Sequence, residues 1–251
     1  MTMEAIFFVL LGLILGSFGN VLLYRIARGQ SIDGRSKCPH CHTVIRWFDL
    51  IPVLSYLLLR GHCRHCDKKI SIGYPMVEVA SGGVFLLAFH NAQSNFPVAL
   101  LTGILLWGLL LAAIFDHKRQ QIPDLFTGII GGAALMLAFL GERTIDDALL
   151  GAALGTVWFG LFWVLSRGKA VGSGDIFLAA TLGLWLGLFD SITMLLMSYI
   201  IGAVVIVLLL LFKIIPRVSH QHIPFAPFLA FGALSAYLGV GDWYLQLIGM
   251  G

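Results

Sequence analysis

The chain has 251 residues, of which 59% are hydrophobic and only 12% are charged, and its mean hydropathy is +0.92. Soluble domains are closer to half apolar and a quarter charged. There is too little polar surface to cover a globule, so this composition excludes a soluble protein. Because no strand-like alternation of lipid-facing and inward-facing residues is visible, we predict an all-α polytopic membrane protein of about eight transmembrane helices.

Eight apolar stretches are predicted to enter or cross the membrane. The first has Glu4 where a signal peptide would carry basic residues, and Arg25 and Arg28 follow it, so we expect a retained helix. The sixth is the shortest, and we expect a half-helix or a tight hairpin with the seventh. The stretches are 4–24, 75–91, 97–115, 124–140, 148–165, 176–189, 191–212 and 223–240.

The distribution of basic residues predicts the orientation. Of the 16 Lys and Arg, only Arg143 falls in a predicted outer loop, and such residues accumulate on the cytoplasmic side. This pattern predicts both termini outside and the 25–74 loop inside. It also predicts three parts, namely a first helix over 1–24, a cytoplasmic loop domain over 25–74 and a catalytic bundle over 75–251.

Glycine pairs spaced four residues apart predict close helix packing in lipid. We assign them no catalytic role. The pairs are Gly12 and Gly16, Gly128 and Gly132, Gly151 and Gly155, and Gly183 and Gly187.

The 25–74 loop holds all four cysteines in two C-x-x-C knuckles, Cys38 with Cys41 and Cys63 with Cys66. This spacing is typical of a zinc ribbon, in which four thiolates bind one tetrahedral ion. We predict a structural zinc site, which would supply much of the folding energy of so small a loop. Four nearby histidines are interpreted as solvent-facing: His40, His42, His62 and His65. The alternative is a membrane thiol oxidoreductase that uses the two cysteine pairs, although a reducing cytoplasm argues against it.

Asp116 ends the third span and Asp175 begins the sixth, so both are expected at the cytoplasmic rim on different helices. Two close carboxylates share a proton, and such a pair can activate water for peptide hydrolysis. Gly172 and Gly174 fit this use, because glycine allows unusual backbone angles and would let a substrate backbone approach Asp175. The structural alternatives are a helix cap at Asp175 and an interfacial salt bridge at Asp116 with Lys118 or Arg119.

Two further acidic residues near the spans receive structural interpretations. Asp124 follows Pro123 and is predicted to begin a helix. Glu78 lies one turn into the second span and is expected to make a polar contact within the bundle, with no further role assigned.

Short motifs follow one another along nearly the whole chain. They lie at 16–21 (GSFGNV), 35–41 (RSKCPHC), 49–56 (DLIPVLSY), 59–66 (LRGHCRHC), 74–78 (YPMVE), 116 with 122–124 (D and IPD), 172–175 (GSGD) and 223–228 (IPFAPF). This ordered set resembles the type IV prepilin peptidase family, whose members are GxGD aspartyl proteases. The departures from that pattern include Gly19, Gly73, Ala226 and the pair Ala170 and Val171, and none of these touches the two aspartates.

The resemblance implies an endopeptidase that cleaves leader peptides of prepilins and pseudopilins after a glycine at the cytoplasmic membrane face. Its catalytic residues would be Asp116 and Asp175. The resemblance also implies methylation of the new N-terminus with S-adenosylmethionine, for which the sequence identifies no binding residue. The expected partners are prepilin or pseudopilin substrates and membrane lipid, with no nucleic acid, and the oligomeric state is undefined. The alternatives are another type of GxGD intramembrane protease and the thiol oxidoreductase.

Overall fold

The computed structural model describes residues 2–92, 95–169, 171–212 and 224–240, and these ranges are helical apart from turns and loops. The predicted all-α fold is confirmed. The helices are α1 (Met3–Ile26), a 3-10 helix (Trp47–Leu50), α2 (Leu54–Leu58), α3 (Gly73–Asn91), α4 (Phe96–Arg119), α5 (Asp124–Phe139), α6 (Ile145–Ser166), α7 (Ser173–Leu211) and α8 (Ala226–Tyr237).

Every predicted apolar stretch coincides with a helical segment. Among the described residues, α1, α4, α6 and α7 are long and apolar enough to cross a membrane, and α5 and α8 are shorter apolar helices. The prediction of a multi-pass membrane protein is therefore confirmed. Lys213, Arg217 and Ile223, on which parts of the predicted layout and motifs depend, lie outside the described residues, as do Ala170 and the C-terminal residues 241–251.

The chain divides into two compact units, Met1–Trp107 and Gly108–Gly251. In the first unit α1 packs closely against α3. A β-carbon at Gly12 would lie 2.5 Å from the carbonyl oxygen of Ser81, and one at Gly16 would lie 2.7 Å from Cα of Glu78. Only glycine permits this approach, so the first predicted glycine pair does bring two helix backbones together.

In the second unit α7 packs against α5, α6 and α8. Gly151 and Gly155 of α6 lie against the backbone of Gly183 and Ala179 in α7, as their spacing predicted. By contrast, no atom lies within 4 Å of the β-carbon positions of Gly128 and Gly132. That pair forms no helix contact in the part of the second unit that the structure describes.

Helix α7 reverses direction at Gly187. Gly155 of α6 contacts Ala179, whereas Trp158, one turn along α6, donates a hydrogen bond to the Tyr199 hydroxyl at 2.9 Å. In a straight helix residues 179 and 199 would be about 30 Å apart, since each residue rises 1.5 Å. Gly187 has φ 75° and ψ −175°, a conformation open only to glycine. The expected hairpin of the sixth and seventh spans is therefore present.

Charged residues at the start of α6 stabilise this reversal. The Asp147 carboxylate accepts a hydrogen bond from the Leu188 backbone N–H at 3.0 Å, so it caps the second half of α7. Arg143 forms ion pairs with both Asp147 and Asp190. The one basic residue of the predicted outer loops is thus the centre of a polar cluster around Gly187.

We expect Gly187→Ala to destabilise the protein by about 2 to 3 kcal/mol, because alanine cannot adopt the glycine-only conformation without strain. A β-carbon would also collide with the Asp147 carboxylate. Thermal unfolding in detergent micelles would measure the effect. Gly128→Ala is the matched control, since its β-carbon meets open space and alanine favours helix. Equal melting temperatures for the two variants would contradict the proposed strain.

Candidate active site and metal centre

Asp116 lies in the last turn of α4 and is 5% exposed. Its Oδ2 accepts a hydrogen bond from the Ala226 backbone N–H at 3.0 Å, and the Phe225 N–H also donates to the carboxylate. These two amides form the N-terminus of α8, where unpaired N–H groups and the helix dipole favour negative charge. The 223–228 motif therefore provides a backbone cradle for Asp116.

Asp116 takes part in no salt bridge among the described residues, whose ion pairs join Arg64 to Asp49 and Arg143 to Asp147 and Asp190. Lys118 and Arg119 are exposed. The interpretation of Asp116 as half of an interfacial salt bridge is therefore wrong. The hydrogen bond that this buried carboxylate accepts from Ala226 comes from a backbone amide and not from a side-chain cation.

Asp175 lies in the first turn of α7 and is partly buried. Its Oδ2 accepts a hydrogen bond from the Gly172 backbone N–H at 3.1 Å, and its own N–H donates to the Gly172 carbonyl at 3.2 Å. The capping contact that was the structural alternative is therefore present. The Asp175 carboxylate can accept further hydrogen bonds, because a carboxylate offers about four acceptor positions.

The carboxylates of Asp116 and Asp175 lie close enough for like-charge repulsion between them. Their motifs also touch, since a β-carbon at Gly174 would lie 3.1 Å from Cβ of Ile122. The structure thus brings together two aspartates that are 59 residues apart in sequence, each beside a helix N-terminus. Two carboxylates in such an arrangement can hold one proton between them, which gives one acid and one base.

The expectation for the glycines of the GSGD motif needs correction. Neither Gly172 nor Gly174 has a positive φ. Gly172 has extended backbone angles that any residue can adopt, and Gly174 lies inside α7. The absence of a side chain at Gly174 is explained by its contact with Ile122. Close packing of two motifs, and not unusual backbone geometry, requires glycine there.

Asp124 lies as predicted, whereas Glu78 was expected to contact the bundle and contacts the loop over 25–74 as well. Asp124 is the first residue of α5, is exposed, and its carbonyl accepts a hydrogen bond from the Thr127 hydroxyl at 3.0 Å. Glu78 is 8% exposed and accepts a hydrogen bond from the Val53 backbone N–H at 2.8 Å. Glu78 therefore makes its polar contact with the cysteine loop of its own unit.

Cys38, Cys41, Cys63 and Cys66 form one cluster, in which all four sulfur atoms lie within 4.8 Å of one another. An antiparallel bridge flanks each knuckle, Lys37 with Val44 and His62 with Lys69. All four cysteines are free thiols. Because each sulfur is near the other three, the arrangement favours a single four-ligand site over two separate dithiol pairs.

The cluster fits zinc. Zn–S bonds of about 2.3 Å in a tetrahedron place the sulfur atoms about 3.8 Å apart, and Sγ of Cys38 and Sγ of Cys66 are 3.9 Å apart. His40, His42 and His65 are exposed, as expected. His62 is half-buried and its Nδ1 lies 2.8 Å from the Arg60 carbonyl oxygen. The four thiols thus form a complete ligand set.

Hydrogen bonds adjust the acidity of these thiols. The Thr43 hydroxyl and backbone N–H lower the pKa of Cys41 to about 6, and the backbone N–H groups of Cys66 and His65 lower the pKa of Cys63. The Lys68 N–H has the same effect on Cys66, but burial and the other three thiols outweigh it and raise the pKa of Cys66 to about 11. A divalent cation would favour the thiolate form of all four.

An ion pair that the sequence did not reveal links the second knuckle to the 3-10 helix. Arg64 donates two hydrogen bonds to Asp49, at 2.7 Å from Nη2 and 3.0 Å from Nε. These bonds hold the pKa of the Asp49 carboxyl below its usual range. The sequence analysis quoted both residues only as motif positions, and their separation of 15 residues offers no local pattern that would pair them. The Phe225 and Ala226 amides were missed for the same reason.

Two family models match this chain, and known proteins are similar to it over nearly its whole length. The family model described as Bacterial Peptidase A24 N-terminal domain matches residues 10–92, and the model described as Type IV leader peptidase family matches residues 103–207. The "Type 4 prepilin-like proteins leader peptide-processing enzyme" of Escherichia coli is 33% identical, with 94% of this chain and 92% of that protein covered. The "Prepilin leader peptidase/N-methyltransferase" of Dickeya chrysanthemi is 34% identical, with 94% and 93% covered. No solved structure matches the chain.

Proposed function

Because this chain belongs to the type IV leader peptidase family, a family of bifunctional membrane peptidases and N-methyltransferases, we propose that Asp116 and Asp175 are its catalytic pair. The observation that carries this proposal is that two carboxylates from the two family motifs lie close enough to repel each other, each at a helix end. Asp116 is held by the α8 amides and Asp175 by the Gly172 amide. Each therefore has a fixed orientation and spare acceptor capacity.

The pair would act as an acid and a base. The ionised carboxylate takes a proton from a water molecule, and the resulting hydroxide attacks the carbonyl carbon of the scissile peptide. The protonated carboxylate donates its proton to the carbonyl oxygen, and the proton on the base then passes to the leaving amine. Backbone amides at Asp116 favour its ionised form, so we assign Asp116 the role of base and Asp175 the role of acid.

The substrates we propose are prepilins and pseudopilins, cleaved after a glycine at the cytoplasmic face of the bacterial inner membrane. The second activity would methylate the new N-terminal amine, with S-adenosylmethionine as the electrophilic methyl donor. Cys38, Cys41, Cys63 and Cys66 would hold a structural zinc ion within a loop domain over 25–74. A first helix over 1–24 and a catalytic bundle over 75–251 complete the proposed organisation.

A membrane cleavage assay with a prepilin tests the catalytic proposal, comparing wild type with Asp116→Asn and Asp175→Asn. The proposal requires that each single change stops cleavage while insertion into the membrane is normal. Retained cleavage in either variant would remove that aspartate from the catalytic pair.

The proposed orientation makes a separate prediction. Single cysteines added at exposed positions, with the four native cysteines retained, should react with a membrane-impermeant thiol reagent only from the side on which each lies, measured above the labelling of the unsubstituted chain. We expect Glu142→Cys, in the predicted outer loop, to react in intact cells. Lys118→Cys should react only after the cells are permeabilised. The reverse pattern would invert the orientation.

A further inference from the structure

A cavity of about 860 Å³ occupies the first unit, between α1, the cysteine loop and the start of α3. Its volume lies in the range of about 300–1,000 Å³ that is usual for small-molecule sites. Aromatic rings of Tyr24 and Tyr74 line it, together with Ser17 and Asn20 of the GSFGNV motif. Asp116 and Asp175, the proposed catalytic pair, belong to the other unit and do not line this cavity.

Basic residues outnumber acidic ones in the lining, where Asp33, Asp49 and Glu78 are the carboxylates. Asp49 is neutralised by Arg64. Asp33 is exposed, and its carboxylate accepts a hydrogen bond from the Ser31 hydroxyl at 2.9 Å. Glu78 is buried, at 8% exposure, and forms none of the ion pairs of the described residues. Around this unpaired buried carboxylate the cavity has aromatic faces and a basic rim.

Glu78 has capacity left for a ligand. It accepts the Val53 N–H and a hydrogen bond from the Ser17 hydroxyl, which leaves about two of its four acceptor positions. No Lys, Arg or His forms an ion pair with it in the described part of the chain. A carboxylate within an apolar helix is costly unless a cation meets it, so its position suits a positively charged ligand.

The Val53 contact explains only part of this arrangement. Val53 has φ 62° and ψ −50°, and the Leu54 N–H donates to the Pro52 carbonyl at 2.6 Å. This is a strained γ-turn that a β-branched residue rarely adopts. One oxygen of Glu78 stabilises the turn, and a neutral glutamine could do the same. A role in which the carboxylate meets a cation would distinguish glutamate from glutamine at this position.

We propose that this cavity is the methyl-transfer site, and that Glu78 binds the organic cation that enters it. The cation is either the sulfonium of S-adenosylmethionine or the ammonium of the newly cleaved substrate. The basic rim suits the carboxylate of the methyl donor, and the tyrosines suit its adenine ring and its positive charge. This inference rests on the proposed methylation but not on the identity of the catalytic aspartates.

The transfer itself balances without any further reagent. The substrate ammonium first releases a proton to solvent. The free amine then attacks the methyl carbon, so that a C–N bond forms while the C–S bond breaks, and the donor leaves as a neutral thioether. The methylated amine carries the positive charge that the sulfonium has lost, so a carboxylate nearby faces a cation before and after transfer.

The test uses the full-length protein in detergent micelles and the variant Glu78→Gln, which keeps an oxygen for Val53 and removes the charge. Calorimetry measures the affinities for S-adenosylmethionine and for S-adenosylhomocysteine, which lacks the sulfonium charge. Methylation is measured on a leaderless pilin, so failure of the aspartate proposal cannot affect it. Glu4→Gln, at an exposed position in α1, is the matched control for loss of one negative charge.

Two outcomes would support the proposal. If Glu78→Gln weakens binding of S-adenosylmethionine about tenfold or more but leaves S-adenosylhomocysteine unchanged, the carboxylate faces the sulfonium. If both affinities are unchanged but KM for the leaderless pilin rises about tenfold, it faces the substrate amine. In either case leader cleavage should persist. Unchanged donor affinities together with unchanged methylation would overturn the proposal, because a purely structural Glu78 would tolerate glutamine.

A measurement on wild type keeps the proposal testable if the variant misfolds. Ultraviolet crosslinking of radiolabelled S-adenosylmethionine, followed by peptide mapping, should label peptides within residues 17–78. Labelling confined to residues 108–251 would overturn the assignment of the cavity.

Discussion

Asp116→Asn and Asp175→Asn are each expected to reduce leader cleavage by about three orders of magnitude or more, with little change in folding. Asparagine is close in size to aspartate and keeps one side-chain oxygen. At position 116 that oxygen can still accept the hydrogen bond from the Ala226 N–H, and at position 175 it can still accept the one from the Gly172 N–H. The expected loss therefore reflects the missing charge or proton and not a missing structural contact.

The double variant separates a working pair from two independent residues. If one proton is shared between the carboxylates, removal of either acid disables the whole pair. Asp116→Asn with Asp175→Asn should then cleave no more slowly than either single variant. Losses that multiply would contradict a shared mechanism. The readout is the initial rate of leader removal in membranes, normalised to the amount of inserted protein.

Asp124→Asn is the matched control. Asp124 is an aspartate in the same motif region, eight positions after Asp116, but it is exposed at the start of α5 and is not among the groups that act on the catalytic carboxylates. We expect near-normal cleavage from this variant. If Asp124→Asn loses activity while one of the other variants keeps it, the catalytic pair has been assigned to the wrong aspartate.

The helical layout could be predicted from the sequence because a membrane leaves the backbone few choices. Each spanning segment must satisfy its own hydrogen bonds, so apolar length alone marks the helices. Even the reversal at Gly187 was expected, since 176–189 is too short to continue as a separate crossing of ordinary length. The apolar pattern did not reveal what stabilises this reversal. The Asp147 carboxylate of α6 does so, because it caps the second half of α7.

The candidate site was less accessible to prediction. Residue types and motif order indicated Asp116 and Asp175, but not the groups that hold them. The cradle of Asp116 comes from backbone amides 110 residues away, and any side chain in their place would present the same N–H groups. Glycine was also misjudged at 172 and 174, because composition does not distinguish a position that needs close packing from one that needs positive φ.

The cysteine cluster could be predicted more completely than the surroundings of the two aspartates, because its sequence signal is local. Two C-x-x-C spacings define two tight knuckles, and the chain between them needs only to bring the knuckles together. The Arg64–Asp49 pair, which joins the second knuckle to the 3-10 helix, and the contact of Glu78 with Val53, which joins the loop to α3, are contacts that no spacing rule contains.

Loss of one cysteine ligand is the second change with a large expected effect. We expect the wild-type chain to hold one zinc ion, and Cys63→Ser to lose it and to unfold the loop over residues 36–71. Structural zinc contributes about 10–16 kcal/mol in zinc-finger peptides, far more than the few apolar contacts of so small a loop. Elemental analysis of the purified protein measures the metal, and limited proteolysis measures the loop.

His65→Ala is the matched control for that variant. His65 lies in the same knuckle and could bind metal by its chemistry, yet it is exposed and lies outside the four-sulfur cluster. We expect it to keep zinc and to resist proteolysis as wild type does. Zinc lost equally from His65→Ala and Cys63→Ser would show that the ligand set differs from the four cysteines.

The same site should release zinc as the pH falls, because protons compete with the metal for thiolates. A four-thiolate site needs all four cysteines deprotonated, so protonation of any one of them weakens the binding of zinc. We therefore expect zinc content to be constant near neutral pH and to fall with the loss of loop protection in acid. A wild-type protein that contains no zinc and cycles between thiols and disulfides would instead favour the thiol oxidoreductase.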